Sequence, residues 1–232
     1  MNSPGHSSEH DAPSGAPGAV WLAETLWRLG GVQFGDFSLG RTVRNSPVYV
    51  NAKLLISRPD ALKHTTRLLA EELELGMALR HPTVEPFDAV AGVPIGGLHL
   101  ATALALHLDK PLLYVRPPRV PDEVAAPHIE GIYRPGQRML VVDDLAAGGG
   151  SLVETVAALR DAGLMVSDAM VLVDREQGAA HRLEGMGVRL HPILTLELLL
   201  KHLDGAGHLG DGDLERALAY IRRESEPRSE FD

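Results

Sequence analysis

The sequence predicts an α/β domain, a mainly parallel twisted sheet flanked by helices with a small amino-terminal hood. Three observations predict it. Between about residues 60 and 200, short apolar runs of strand length alternate with helix-length segments, the pattern of strands joined by crossover helices. The runs are continuously apolar, as strands covered on both faces must be. Glycines gather where an apolar run gives way to a helical pattern, at strand-to-helix turns.

Taken in order, residues 1–18 are rich in Ser, Pro, Gly and Asp and predict a disordered tail. Residues 19–208 form a single domain whose hood runs from about 19 to 58. Pro59–Leu79 reads as a helix, with Leu62, Leu69, Leu73 and Met77 at helical spacing and Pro59 suited to its first turn. A strand at Asp88–Ala91 runs into the turn Gly92–Gly97, and Leu98–Leu108 is the following helix. Leu112–Val115 is a second strand. Residues 116–138, rich in proline and charge, read as a long mobile excursion. Met139–Val142 is a third strand, ending at Asp143-Asp144. A small-residue loop, Leu145–Gly150, leads to Ser151, which with Glu154 makes a capping box. That helix stops at Gly163. Ala169–Val173 is a fourth strand ending at Asp174-Arg175-Glu176, a helix starts near Gly178, and a last strand lies near 188–190. Residues 209–232 predict a helix over Asp211–Arg223 and a charged tail.

Composition removes several function classes. With no cysteine, disulfide scaffolds, thiolate metal sites and cysteine nucleophiles are excluded, and the chain suits a reducing cytoplasm. A formal charge of −9 disfavours nucleic-acid phosphates. The richest apolar stretch, Val90–Leu108, is broken by Pro94, glycines and histidines, so no membrane span is expected.

The strongest chemical signal is Val141-Val-Asp-Asp-Leu-Ala-Ala-Gly-Gly-Gly-Ser151. Small residues before a helix N-terminus let backbone N–H groups approach a phosphate, and the helix dipole favours the anion. The two carboxylates would instead hold sugar hydroxyls or a Mg²⁺ shared with substrate. Together they suggest a phosphorylated sugar, and the absent Walker lysine argues against nucleoside triphosphate hydrolysis. The plainer alternative is a tight glycine turn with solvated aspartates.

With its flanks, this segment resembles the phosphoribosyl pyrophosphate (PRPP) motif of type I phosphoribosyltransferases, and specifically orotate phosphoribosyltransferase, including the amino-terminal domain of UMP synthase. The resemblance covers about residues 32–203 and rests on Phe34-Gly-Asp-Phe37 with Leu39, Ser46-Pro-Val-Tyr-Val-Asn51, Ile56-Ser-Arg-Pro59, Ala91-Gly-Val-Pro94, Ile129-Glu-Gly131 and Asp174-Arg-Glu-Gln-Gly178. It implies a cytoplasmic enzyme of pyrimidine biosynthesis that joins orotate to PRPP, giving orotidine 5′-monophosphate and pyrophosphate. By that resemblance Asp143 and Asp144 hold the ribose hydroxyls, with Mg²⁺ reaching Asp144 mainly through substrate. Ala147, Gly148, Gly149, Gly150 and Ser151 surround the 5-phosphate, and Val93, Pro94, Gly96 and Gly97 line the pyrophosphate loop. Arg175 faces the orotate carboxylate, whose planar geometry suits a guanidinium, or is a surface cation near Glu176. Tyr49 lies over the pyrimidine or packs in the hood. The resemblance also implies a homodimer in which residues 116–130 close over the partner's site.

Three departures stand out. After the strand at Leu112–Val115 the family pattern has two lysines, whereas this chain reads Arg116-Pro-Pro-Arg119 and continues to His128 without one. Arg116 is then the catalytic cation, with Arg119 available if the register shifts and His128 either reaching the site or solvated. Each lost donor to the leaving pyrophosphate is worth about 10² in rate. The phosphate loop has Ala147 and Gly148 where relatives place hydroxyls. In the hood, Arg41 is the stand-in for the usual lysine. These departures leave open a catalytically impaired relative that binds ligand as a regulator or partner subunit, and a transferase for another base.

Overall fold

The computed structural model describes residues 18–39, 43–116 and 128–225. An amphipathic helix, α1 (Gly18–Arg28), opens the described chain and buries Trp21, Leu22 and Leu26. An antiparallel hairpin follows, β1 (Val32–Leu39) and β2 (Val43–Val50), registered by pairing Val32 with Val50. A 3-10 helix (Ala52–Ser57) links it to α2 (Pro59–Ala78), where proline occupies the first turn as the sequence predicts.

The body is a six-stranded sheet. Its strands are β3 (Ala89–Gly92), β4 (Leu112–Arg116), β5 (His128–Glu130), β6 (Arg138–Ala146), β7 (Met165–Asp174) and β8 (Arg189–Thr195), in the order β5-β4-β3-β6-β7-β8. All pairings are parallel except β4 with β5. The crossover helices are α3 (Gly96–His107), α4 (Gly150–Asp161) and α5 (Ala179–Glu184); α6 (Leu196–Gly205) and α7 (Asp213–Ser225) close the described chain. One apolar core joins α1, the hairpin, α2, α3, α6 and α7 to one sheet face, while a second joins α4 and α5 to the other.

This topology fixes where a ligand can bind. The chain leaves β3 toward β4 on one side and leaves β6 toward β7 on the other, and α3 and α4 pack on opposite faces. The crevice beyond the carboxyl ends of β3 and β6 is therefore the topological switch point, the place where open α/β sheets bind ligands.

Several boundaries differ from those expected. β6 extends to Ala146, so Asp143 and Asp144 lie within the strand because β7 continues to pair with it through Asp174. β5 forms inside the expected mobile excursion, paired with β4 through Val115 and Ile129; residues 117–127 of that excursion, with Arg119, lie outside the described residues, as do the 1–17 part of the tail, 226–232 and Arg41. The expected capping box at Ser151 does not form. Gly149 takes the N-cap position at φ +75° with no side-chain cap, because glycine enters the left-handed region freely and starts the helix earlier. Among the described residues no helix is long and apolar enough to cross a membrane.

Candidate active site

Two loops meet at the switch point. The first runs from Val93 into α3, whose first residues are Gly96 and Gly97; the Pro94–Ile95 peptide is cis. A Cβ on Gly97 would collide with the Val142 carbonyl, and one on Gly96 with the Asp144 carboxylate. Glycine at both positions is what lets the N-terminus of α3 lie against the acid pair.

The acid pair is buried, Asp143 at 7% and Asp144 at 6% exposure, so the alternative of solvated aspartates is overturned. The Asp144 N–H donates to Asp143 Oδ1 at 2.8 Å. Burial, with the charge of Asp144 beside it, pushes the Asp143 carboxyl well above the ordinary range. Asp144 has a partner that the sequence did not disclose: Lys53 Nζ donates to its Oδ2 at 2.7 Å, across 91 positions of chain. Burial alone would lower the Lys53 pKa, but hydrogen bonding and charge from Asp144, then Asp143 and Tyr49, hold it above its usual value. Lys53 projects from the 3-10 helix, and Asn51 Oδ1 accepts its backbone N–H. The one sequence signal was a lysine in an otherwise apolar turn, Ala52-Lys-Leu-Leu-Ile56.

The second loop is only Ala147, Gly148 and Gly149, between β6 and α4. The Ala147 carbonyl accepts from Ala179 N, and the Gly148 carbonyl accepts from Arg182 Nη1 at 2.8 Å. The loop's carbonyls are thereby tied back toward α5. The Val153 N–H closes the first turn of α4 on the Gly149 carbonyl, so Gly150, Ser151 and Leu152 supply the first-turn N–H groups. Space around Gly150 is open and Ser151 is exposed.

Arg175 is not a surface cation. It is 1% exposed, and its Nη2 donates to Ser46 Oγ at 2.9 Å and toward the Val48 carbonyl at 3.4 Å. Its Nε is buried without a partner among the described residues, and burial lowers its pKa. The guanidinium thus sits beneath β2, the strand that carries Tyr49. Tyr49 is half-buried and its ring tilts against Phe37 at 5.5 Å between centroids. The turn after Arg175 is held locally: Asp174 Oδ1 accepts from Glu176 N, and Glu176 Oε2 accepts from Glu197 N.

Arg116 lies elsewhere. It ends β4, two strands from β6, and its Nη1 is 3.4 Å from Glu130. His128 Nε2 approaches the same carboxylate at 3.5 Å. Both side chains therefore converge on the sheet edge, and the described cation on the acid pair is Lys53.

A parallel sheet with an acid pair and a glycine loop at its switch point defines a phosphoribosyltransferase-type domain, and residues 58–186 match the family model of the phosphoribosyl transferase domain. The chain is 37% identical over 193 residues to orotate phosphoribosyltransferase of Cenarchaeum symbiosum, covering 82% of this chain and 92% of that one. The crystal structure of orotate phosphoribosyltransferase from Aeropyrum pernix superposes with a TM-score of 0.69 at 37% identity, over 82% of this chain and 99% of the other. The UMP synthase of Leishmania donovani gives a TM-score of 0.76 at 30% identity, over 88% of this chain and 42% of the other. The chain belongs to the orotate phosphoribosyltransferase family of type I phosphoribosyltransferases.

Proposed function

We propose that this protein transfers the phosphoribosyl group of PRPP to orotate, giving orotidine 5′-monophosphate and pyrophosphate in cytoplasmic pyrimidine synthesis. The observation that carries the reading is the meeting, at one switch point, of the buried acid pair Asp143–Asp144 with the glycine N-termini of α3 and α4. Asp143 and Asp144 accept from the ribose hydroxyls. Ala147, Gly148, Gly149, Gly150 and Ser151 receive the 5-phosphate, chiefly through the uncapped first-turn N–H groups of α4. Val93, Pro94, Gly96 and Gly97 receive the pyrophosphate. Arg175 supplies the orotate carboxylate with a guanidinium whose Nε has no acceptor among the described residues, and Tyr49 lies over the pyrimidine. Arg116 approaches the site from β4 once it exchanges Glu130 for substrate.

Hard carboxylate oxygens suit Mg²⁺. Among the described residues no group of three or more metal-ligating side chains assembles, so a Mg²⁺ held by Asp144 would complete its shell with substrate oxygens. When bound it supplies positive charge to the leaving pyrophosphate. A homodimer belongs to the same proposal, as the resemblance to orotate phosphoribosyltransferases implies.

The deciding experiment follows orotate consumption spectrophotometrically with PRPP and Mg²⁺, for the wild type and for Asp143→Asn/Asp144→Asn. Turnover that falls by about 10³ or more in the variant supports the reading. A wild type that binds PRPP calorimetrically but consumes no orotate overturns it, leaving a ligand-binding relative; turnover with a different base reassigns the acceptor.

A further inference from the structure

Lys53 joins three parts of the molecule. It projects from the 3-10 helix that follows the hairpin, and its ammonium sits on the Asp144 carboxylate at 2.7 Å. The same carboxylate rests against Gly96 at the start of α3. One carboxylate is thus flanked by an ammonium and by the N-terminus of α3, into which the loop proposed to take pyrophosphate runs.

The two partners differ in freedom. The Lys53 side chain is 51% exposed and that of Asp144 8% exposed. The carboxylate is fixed on β6, while the ammonium sits at the end of a flexible four-carbon stem anchored at its base by Asn51. A half-exposed ion pair of this kind is weak and exchanges its anion readily. The chain has only four lysines, and the others are placed elsewhere. Lys110 donates to the Phe87 carbonyl, Lys201 pairs with Glu197 and Lys63 lies on α2. Arg116 pairs with Glu130 at the sheet edge, away from the acid pair, and Arg175 is buried under β2. Among the described cations, Lys53 alone touches the acid pair.

We propose that Lys53 is a substrate-contacting residue whose ammonium leaves Asp144 for a pyrophosphate oxygen of PRPP. The inference rests on the phosphoribosyl-transfer reading above. In that reaction the C1–O bond breaks with its electron pair passing to pyrophosphate, orotate N1 forms the C1–N bond, and the N1 proton ends on the departing pyrophosphate. Lys53 gives up no proton. It places positive charge where negative charge develops, supplying what the lysine-free segment after Arg116 lacks.

The test titrates inorganic pyrophosphate without metal into the wild type, Lys53→Met and Lys53→Arg, and measures steady-state kinetics of all three. In Lys53→Met, pyrophosphate affinity falls about tenfold or more and kcat/KM for PRPP about 10², with KM for orotate within about twofold. Lys53→Arg, which keeps the charge, recovers most of both, and thermal midpoints stay with the wild type. Unchanged pyrophosphate affinity and PRPP kinetics in Lys53→Met would overturn the assignment. So would equal losses toward orotate and PRPP that Lys53→Arg fails to restore, since that is the mark of a purely structural role. A wild type that binds pyrophosphate but does not consume orotate defeats the proposed function instead, while its binding arm still decides Lys53.

Discussion

Arg175 lies under β2 with one donor on Ser46 and a buried Nε that has no acceptor among the described residues. Such a guanidinium contributes little to folding, because desolvation offsets its hydrogen bonds, and apolar replacements of buried charges are often neutral or better. Its retention makes sense if a ligand anion completes it. Arg175→Met should therefore keep stability within about 1 kcal/mol of the wild type or raise it, while KM for orotate rises by about 10²; urea midpoints and kinetics on one preparation check both. Gly97 shows the opposite balance. Gly97→Ala drives a Cβ into the Val142 carbonyl and should lower stability by about 1–3 kcal/mol, read from the same urea curves. Asp143, Asp144 and the glycines were legible because their signal is local, a strand followed by small residues. Lys53 was not, because its meaning comes from Asp144, 91 positions away. The burial of Arg175 likewise depends on Ser46, 129 positions distant.

Among the elements, α7 has a role beyond covering apolar surface. It buries Ala217, Tyr220 and Ile221, packs near the hairpin, and reaches the turn after Arg175. Gln177 Nε2 donates to Tyr220 Oη at 3.1 Å, and Ser225 Oγ donates to the Glu176 carbonyl. The helix thereby braces the segment that carries Arg175 from behind. Tyr220→Phe leaves the Gln177 amide without that acceptor, and should lower stability by about 1 kcal/mol and raise KM for orotate several-fold with pyrophosphate affinity unchanged. Thermal melts and the two ligand titrations separate those effects. Strands β3, β4, β6 and β7 were readable because each carries a continuous apolar run, and the crossover helices because glycine or proline stands near their ends. The hairpin, β5 and the helix start at Gly149 were not, since each is set by tertiary pairing or by a glycine conformation rather than by periodicity.

Across the whole molecule, the two ends of the sheet carry acids of opposite thermodynamic sign. At the amino end of β7, burial would raise the Asp168 pKa, but His191, the Glu85 N–H and Arg189 together hold it below its ordinary 3.8. A carboxylate lowered by folding contributes stability above its unfolded pKa and loses it as pH falls through the folded value. At the carboxyl end, burial raises Asp143, with Asp144 adding to the effect, and burial also raises Asp174 and Glu176. An acid raised by folding acts in reverse: the native state holds a proton that the unfolded chain releases, so it opposes folding increasingly as pH rises above the unfolded value. Asp168→Asn should accordingly destabilise the protein at pH 7, with the difference from the wild type shrinking as the pH falls below 3.8. Asp143→Asn should stabilise it at pH 7, with that gain shrinking to nothing over the same acidic range, while activity is lost. Urea midpoints taken from about pH 3 to pH 8 for both variants give the two slopes. Curves for Asp143→Asn and the wild type that run parallel would show that Asp143 is no more strained than an ordinary surface carboxylate. Divergent ones would place the unfavourable electrostatics of the fold at the end of the sheet where ligand binds, to be relieved there by the ribose hydroxyls that donate to the acid pair and by mass action.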